Sequence, residues 1–171
     1  MGKIRWILLT VTMLTLLLTS CGGEARFSDY RRETFKADVE YFKDDKRMWS
    51  GVIEVDSGED IEGRDIRIVL SSPAAMKGVA LYRKDGEVRA RIGEREMNGD
   101  AFRSVLKNGE LIIPSGDVLN ANSVKIGEKR YVRTVFSSGE EIYFDPVTEM
   151  PVEIRKDNER LLIGEMRIAE K

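Results

Sequence analysis

The chain has 171 residues, of which 28 are Lys or Arg and 30 are Asp or Glu, and its formal net charge at pH 7 is −2. It has no histidine and one cysteine, so the commonest general base, the commonest metal ligand and any internal disulfide are absent together. These features weigh against an enzyme and against any metal or other bound cofactor, and the acidic balance gives no attraction for nucleic acid.

Residues 1–20 predict a lipoprotein signal peptide. Lys3 and Arg5 precede an apolar run from Trp6 to Leu18, and this segment contains no acidic residue. The run is shorter than the roughly 20 residues that a membrane-spanning helix needs. Its end, Leu18 to Cys21, resembles the bacterial lipobox, which implies cleavage before Cys21 and acylation of that thiol.

The predicted location is therefore extracytoplasmic, with the protein held to the cell membrane by lipid on Cys21. In a cell with two membranes the domain would face the periplasm, and otherwise it would lie on the outer surface. A diacylglyceryl group supplies the two chains that stable anchoring requires. The covalent lipid is the only non-protein group that the sequence predicts.

Residues 21–33 are predicted to form the lipidated N-terminus and a tether, because Gly22 to Ser28 is small and polar. Residues 34–171 are predicted to form a single β domain. The signal peptide holds two basic residues and no acidic residue, so the remainder carries a formal charge of −4. A chain of this length normally folds as one domain with a real core.

Alternation of apolar and polar residues predicts about ten short strands after residue 33. Asp85-Gly86 is a strong signal for a two-residue hairpin, and the other connections are also short, so neighbouring strands should be antiparallel. A twisted sheet of this size usually curls or closes. The predicted strands are 34–42, 48–55, 66–70, 78–84, 87–92, 123–126, 130–137, 141–145, 151–156 and 160–169.

Residues 98–109 break the alternation and predict one short helix. Phe102, Val105 and Leu106 have the spacing of one helical face, between cap-forming residues and a terminal Asn-Gly. A second helical turn is predicted near Asp29 to Arg32. The predicted fold is mainly β: a curved antiparallel sheet or unclosed β-barrel, with one or two short helices covering its concave face.

Five apolar residues are candidates for binding a ligand: Met76, Leu81, Phe102, Val105 and Leu106. They would line a cavity if the helix lies over the concave face, and methionine suits a promiscuous apolar pocket. The alternative is that they close an ordinary dry core, because small barrels are usually filled by their own side chains.

Acidic residues give no candidate metal or catalytic site. The cluster from Asp56 to Glu62 lacks the spacing of a calcium loop and is typical of a solvated turn. Glu140 and Glu141 are adjacent at the start of the predicted strand 141–145 and should point to opposite faces, which argues against an acid and base pair. We assign no catalytic and no metal-binding residues.

Three segments, 72–87, 131–136 and 141–154, resemble the lipoprotein-carrier superfamily typified by LolA and LolB. The resemblance implies an unclosed antiparallel barrel around a hydrophobic cavity, helices acting as a lid, and the binding of acyl chains. The family's long N-terminal amphipathic helix has only Ala25 to Glu33 available here. Its lid-locking arginine and protruding apolar loop have no assigned counterparts.

Two functional hypotheses follow. The first is a non-enzymatic membrane-anchored lipoprotein whose curved sheet binds an apolar ligand, such as a lipid or the acyl chain of another lipoprotein. The second is an envelope protein-interaction scaffold with a fully packed core, which binds or positions a cell-wall enzyme. Lipoproteins of spore-forming bacteria with a similar size, anchor and strand pattern include some that bind such an enzyme.

Overall fold

The computed structural model describes residues 30–56, 64–84 and 87–169. The predicted signal peptide, Cys21, most of the predicted tether, the Asp85-Gly86 turn and all of the acidic cluster except Asp56 lie outside the described residues. No helix in the described ranges is long and apolar enough to cross a membrane.

The described residues form one antiparallel sheet of eleven strands, in the spatial order β6-β5-β4-β3-β2-β1-β11-β10-β9-β8-β7. The strands are β1 Phe35–Lys43, β2 Lys46–Val55, β3 Ile66–Ser72, β4 Ala80–Lys84, β5 Glu87–Ile92, β6 Arg95–Asn98, β7 Val118–Ile126, β8 Lys129–Phe136, β9 Glu141–Phe144, β10 Pro151–Lys156 and β11 Glu159–Ile168.

The first strand, β1, and the last strand, β11, are neighbours in the middle of this sheet. The chain runs outward from β1 to the edge strand β6, crosses to the opposite edge strand β7, and returns to β11. Strand β11 pairs with β1 from Phe35↔Ile168 to Lys43↔Glu159. Strands β6 and β7 are not paired with each other, so the sheet is an unclosed half-barrel, as predicted.

A continuous helical segment, which we call the crossing helix, connects the two edges of the sheet. It consists of a 3₁₀ turn at Asp100–Phe102, the α-helix α1 at Arg103–Gly109 and a second 3₁₀ turn at Glu110–Ile112. The backbone N–H of Asp100 donates to Oδ1 of Asn98 at 2.7 Å, which fixes the start of the segment. The crossing helix therefore begins and ends slightly later than the predicted range 98–109.

The two edge strands differ most from the sequence prediction. Strand β6 was not predicted and has no buried residue, while β7 begins at Val118 instead of at residue 123. Every residue of β7 is exposed or half-buried, so neither edge strand shows the alternation that marks a strand with one face in the core. Backbone pairing with β5 and β8 defines these strands.

The crossing helix packs into the concave face of the sheet and fills its centre. Leu106 and Ile112 are 2% and 0% exposed. A Cβ placed on Gly109 would lie 2.3 Å from Cδ1 of Ile68 and 3.5 Å from Cδ1 of Ile53, so the helix backbone touches the sheet side chains at this residue. A single hydrophobic cluster joins the helix to both halves of the sheet.

The residues before β1 fasten the end of the crossing helix. The hydroxyl of Tyr30 donates to the carbonyl of Ile112 at 3.0 Å, and Nη1 of Arg31 donates to the carbonyls of Pro114 at 3.1 Å and Gly116 at 3.2 Å. Residues 30–32 form a 3₁₀ turn, in agreement with the predicted helical turn there. The segment before the sheet and the segment after α1 therefore form one substructure.

Candidate ligand-binding site

The mouth of the half-barrel holds an open cleft of about 670 Å³ beside α1. We call it the apolar cleft. Its volume falls within the roughly 300–1,000 Å³ that is usual for small-molecule pockets. Its wall combines the ends of β1, β2 and β10, the β3–β4 connection and one side of α1. The apolar residues that line it are Tyr41, Met48, Trp49, Pro73, Met76, Val105 and Leu111.

Two aromatic rings form a rigid part of this cleft. Tyr41 and Trp49 are cross-strand neighbours, and their rings stack at a centroid distance of 5.5 Å with an interplanar angle of 21°. Each is 3% exposed. The indole N–H of Trp49 has no hydrogen-bond acceptor within the described residues, so packing holds this ring in place. Burial, followed by a hydrogen bond with Glu159, raises the pKa of the Tyr41 phenol, which therefore stays neutral.

Polar side chains surround the opening of the apolar cleft. Nδ2 of Asn108, on α1, donates to Oε1 of Glu159 at 3.4 Å, and Nζ of Lys43 lies 3.8 Å from the same oxygen. Asn158 Nδ2 donates to Oδ1 of Asp44 at 2.7 Å. These contacts tie α1 and the β1–β2 turn to the β10–β11 turn along one side of the opening.

A second, smaller cleft of about 310 Å³ adjoins the first. We call it the charged cleft. The clefts share Lys107, Leu111 and Lys156 as lining residues, so α1 presents Lys107 to both. The other residues that line the charged cleft are Arg64, Ile66, Arg83, Glu110, Ile113, Ser115 and Glu140.

Glu140 is the most buried carboxylate of this cleft, at 5% exposure. Its Oε1 accepts a hydrogen bond from Nζ of Lys156 at 2.8 Å, and its Oε2 accepts one from the hydroxyl of Ser138. Burial acts to raise the pKa of Glu140, but the bonds from Lys156, Ser138 and its own backbone outweigh burial and hold that pKa below its ordinary value. Glu141 turns the other way and pairs with Arg133, so the two adjacent carboxylates are separated as predicted.

Arg64 closes one end of the charged cleft and is 6% exposed. Its guanidinium donates to three backbone carbonyls: those of Arg31, Glu33 (2.6 Å from Nη2) and Asp56 (2.6 Å from Nε). The desolvation of burial lowers its pKa from the ordinary value. Arg64 thus holds the residues before β1 against the end of β2.

The five candidate ligand residues are distributed between the core and the cleft. Met76 and Val105 line the apolar cleft. Leu81 and Leu106 are 0% and 2% exposed and belong to the packed core. Phe102 is half-buried against that core. The role of these residues in binding a ligand stays a prediction.

The sequence did not single out Tyr41, Trp49, Lys107 or Lys156. Trp49 and Tyr41 were read only as members of strands, although an aromatic pair near two strand ends is a usable signal. Lys107 follows the apolar triad of the helix and is on its polar side. Only the fold brings Lys156, which ends a strand far along the chain, next to it.

The described residues contain no group of three or more cysteine, aspartate and glutamate side chains that could hold a metal ion. The two clefts combine an aromatic and aliphatic wall, polar contacts beside the opening and adjacent cationic groups.

The fold has counterparts among solved structures. That of MucB matches with 12% identity over 85% of this chain and 57% of the MucB chain, at a TM-score of 0.50. This chain thus spans less than two thirds of MucB. A LolA superfamily protein from Nitrosomonas europaea matches at 11% identity, covering 86% of this chain and 92% of that chain, with a TM-score of 0.41.

The Mycobacterium tuberculosis lipoprotein LppX matches at 11% identity over 84% of this chain and 92% of that chain, with a TM-score of 0.44. No protein-family model and no curated protein matches the sequence. The predicted resemblance to LolA and LolB is confirmed for the fold, since the sheet is antiparallel and unclosed and a helix fills its concave face. At these identities the likeness concerns the fold alone.

Proposed function

We propose that this chain is a membrane-anchored lipoprotein of the cell envelope, without enzymatic activity, that binds an apolar ligand in the apolar cleft. The ligand is a lipid or the acyl chain of another lipoprotein. The observation that carries the proposal is the cleft itself, in which Trp49, Met76 and Val105 form an apolar wall at the open end of a half-barrel.

The site for this ligand lies beside the crossing helix. The centre of the concave face is filled by Leu106, Gly109 and Ile112, so the ligand occupies the mouth of the half-barrel and not its middle. About six buried methylene groups would supply roughly 5 kcal/mol, at about 0.8 kcal/mol each. Rigid walls reduce the ordering cost of binding, which favours a stacked aromatic pair as part of the site.

The experiment uses Trp49 as the reporter. The chain has two tryptophans, and Trp6 lies in the predicted signal peptide, so only Trp49 remains in the processed protein. Titration with hexadecanol in an uncharged detergent should change its emission. We expect V105D, which places a carboxylate in the apolar cleft, to weaken binding at least about tenfold, because an unpaired buried charge is costly.

The matched control is V147D, because Val147 is 87% exposed and does not line the cleft. This variant should bind hexadecanol like the parent chain. A second cleft variant, S104F, obstructs the opening from an exposed helix residue and guards against misfolding of V105D. An absence of any hexadecanol response, together with no lipid retained in native mass spectrometry, would reject the proposal.

The second candidate function is the protein-interaction scaffold. The packed centre of the concave face favours it, because a filled core is what that hypothesis requires. It predicts that a crosslinked envelope protein is recovered with the full chain, while hexadecanol leaves Trp49 emission unchanged. Binding of hexadecanol that V105D abolishes would argue for the first function.

A further inference from the structure

The charged cleft carries an excess of positive groups in an otherwise acidic protein. Its cations are Arg64, Arg83, Lys107 and Lys156, and its carboxylates are Glu110 and Glu140. This difference is two charges in favour of the cations, whereas the whole chain has a formal net charge of −2. A concave site lined by one excess sign concentrates ions of the opposite sign.

Three of the four cations are already engaged. Lys156 is bound to Glu140 at 2.8 Å, and Arg83 forms an ion pair with Glu110. Arg64 has its donors on backbone carbonyls. The charges of Lys156 and Arg83 are thus already neutralised by a carboxylate, and the guanidinium of Arg64 is already bound to the backbone.

Lys107 differs from these residues. Its side-chain ammonium makes no ion pair or hydrogen bond with any residue of the described ranges, and the side chain is exposed. Its ammonium offers three donors. It lines the charged cleft and the apolar cleft at once, next to Leu111, which does the same. A ligand whose chain lies in the apolar cleft therefore meets a free cation where the two clefts join.

We infer that the ligand is an anionic amphiphile whose chain lies in the apolar cleft and whose carboxylate or phosphate headgroup lies in the charged cleft against Lys107. This inference rests on the proposed function and names the class of its ligand. Glu110 and Glu140 are already paired with Arg83 and Lys156, so the charge that remains for the headgroup is that of Lys107. The headgroup therefore stays beside Lys107.

The experiment compares hexadecanoate with hexadecanol, which have the same chain and differ in the charge of the headgroup. Both are titrated into the processed protein, with Trp49 emission as readout. We expect hexadecanoate to bind about tenfold more tightly, as a charge-assisted hydrogen bond would give. Since Lys107 is exposed, added salt should reduce this difference.

The test variant is K107M, which keeps most of the aliphatic stem and removes the charge. It should bring hexadecanoate to the affinity of hexadecanol, while the thermal unfolding midpoint stays that of the parent chain. The matched control is K125M, because Lys125 is an exposed lysine on β7 outside both clefts. K125M should retain the full preference for hexadecanoate.

Other outcomes separate the two proposals. Equal affinities for the two probes in the parent chain would overturn the headgroup inference and leave the proposed function intact. No binding of either probe would remove both. Inorganic phosphate is tested alone by calorimetry: binding as tight as that of hexadecanoate would mean that the chain contributes nothing, and would overturn the inference in favour of a free-anion site.

Discussion

Glu140 shows how one carboxylate is kept ionised beside the crossing helix. It has almost no contact with solvent, yet the ammonium of Lys156 and the hydroxyl of Ser138 both donate to it. Its folded-state pKa therefore lies below the value of about 4.3 expected in an unfolded chain. Because the pKa of Glu140 is lower in the folded state than in the unfolded state, the carboxylate stabilises the fold at any pH above the unfolded-state pKa. This stabilisation is lost as the pH falls through the folded-state pKa.

We expect E140Q to reduce the free energy of unfolding at pH 7, since glutamine cannot replace the charged partner of Lys156. The difference between parent and variant should shrink as the pH falls through the lowered folded-state pKa, where the parent carboxylate becomes protonated. Urea denaturation across the pH range measures this. E94Q, at an exposed glutamate, is the control and should follow the parent. A difference that stays constant with pH would contradict the assignment.

At the scale of elements, the contact between α1 and the sheet depends on a missing side chain. Gly109 ends α1 with ordinary helical dihedral angles, so its conformation does not require glycine. Space does require it, because a Cβ would meet Cδ1 of Ile68 at 2.3 Å. The glycine therefore sets how closely the crossing helix approaches β3.

We expect G109A to destabilise the fold by about 1–3 kcal/mol, the usual cost of overpacking a core, although alanine improves helix propensity by up to about 1 kcal/mol. I68V removes the obstructing Cδ1. In a double-mutant cycle followed by urea denaturation, G109A should therefore cost less in the I68V background. S104A, on the exposed side of α1, should change little. Additive effects of G109A and I68V would show that they do not interact through this contact.

The elements that the sequence predicted well are those with one face in the core. In β1, every second residue from Phe35 to Tyr41 is at most 3% exposed. Because this face is buried, apolar residues occupy alternate positions, and the sequence pattern shows the strand. The edge strand β6 and the first half of β7 have no buried face. Their sequences therefore lack the alternation from which a strand is predicted. The helix was found from Phe102, Val105 and Leu106, but its extension to Ile112 depends on the sheet below it.

The site was only partly predictable for a related reason. Met76 and Val105 are candidates from the sequence because a helix over the concave face would bring them to a cavity, and methionine suits an apolar pocket. Trp49 and Lys156 reach the clefts because β1 pairs with both β2 and β11, which are at opposite ends of the chain. Such long-range pairing is not encoded in local spacing, so their place in the site needed the fold.

At the scale of the whole molecule, the proposed membrane attachment depends on Cys21, which lies outside the described ranges. We expect C21S to move the protein from the membrane fraction to the soluble fraction of its host and to abolish incorporation of labelled palmitate, because no other thiol is available. S20A keeps a small residue before the cysteine and should remain membrane-bound and labelled. A C21S protein that stays in the membrane fraction would refute the anchor.

The pairing of β1 with β11 places the first and last described residues at the end of the half-barrel opposite to the apolar cleft. The backbone N–H of Ala169 donates to the carbonyl of Thr34 at 2.9 Å, so the residue before the first strand lies beside the residue after the last strand. Strand β1 runs from this pair of residues to the opening of the apolar cleft near Lys43. Its nine residues, at about 3.3 Å each, give a separation of roughly 30 Å. If the protein is anchored through its N-terminus, the opening of the apolar cleft would therefore face away from the membrane. A label attached after the last strand would then lie at the membrane-proximal end of the domain and would not obstruct entry of a ligand into the cleft.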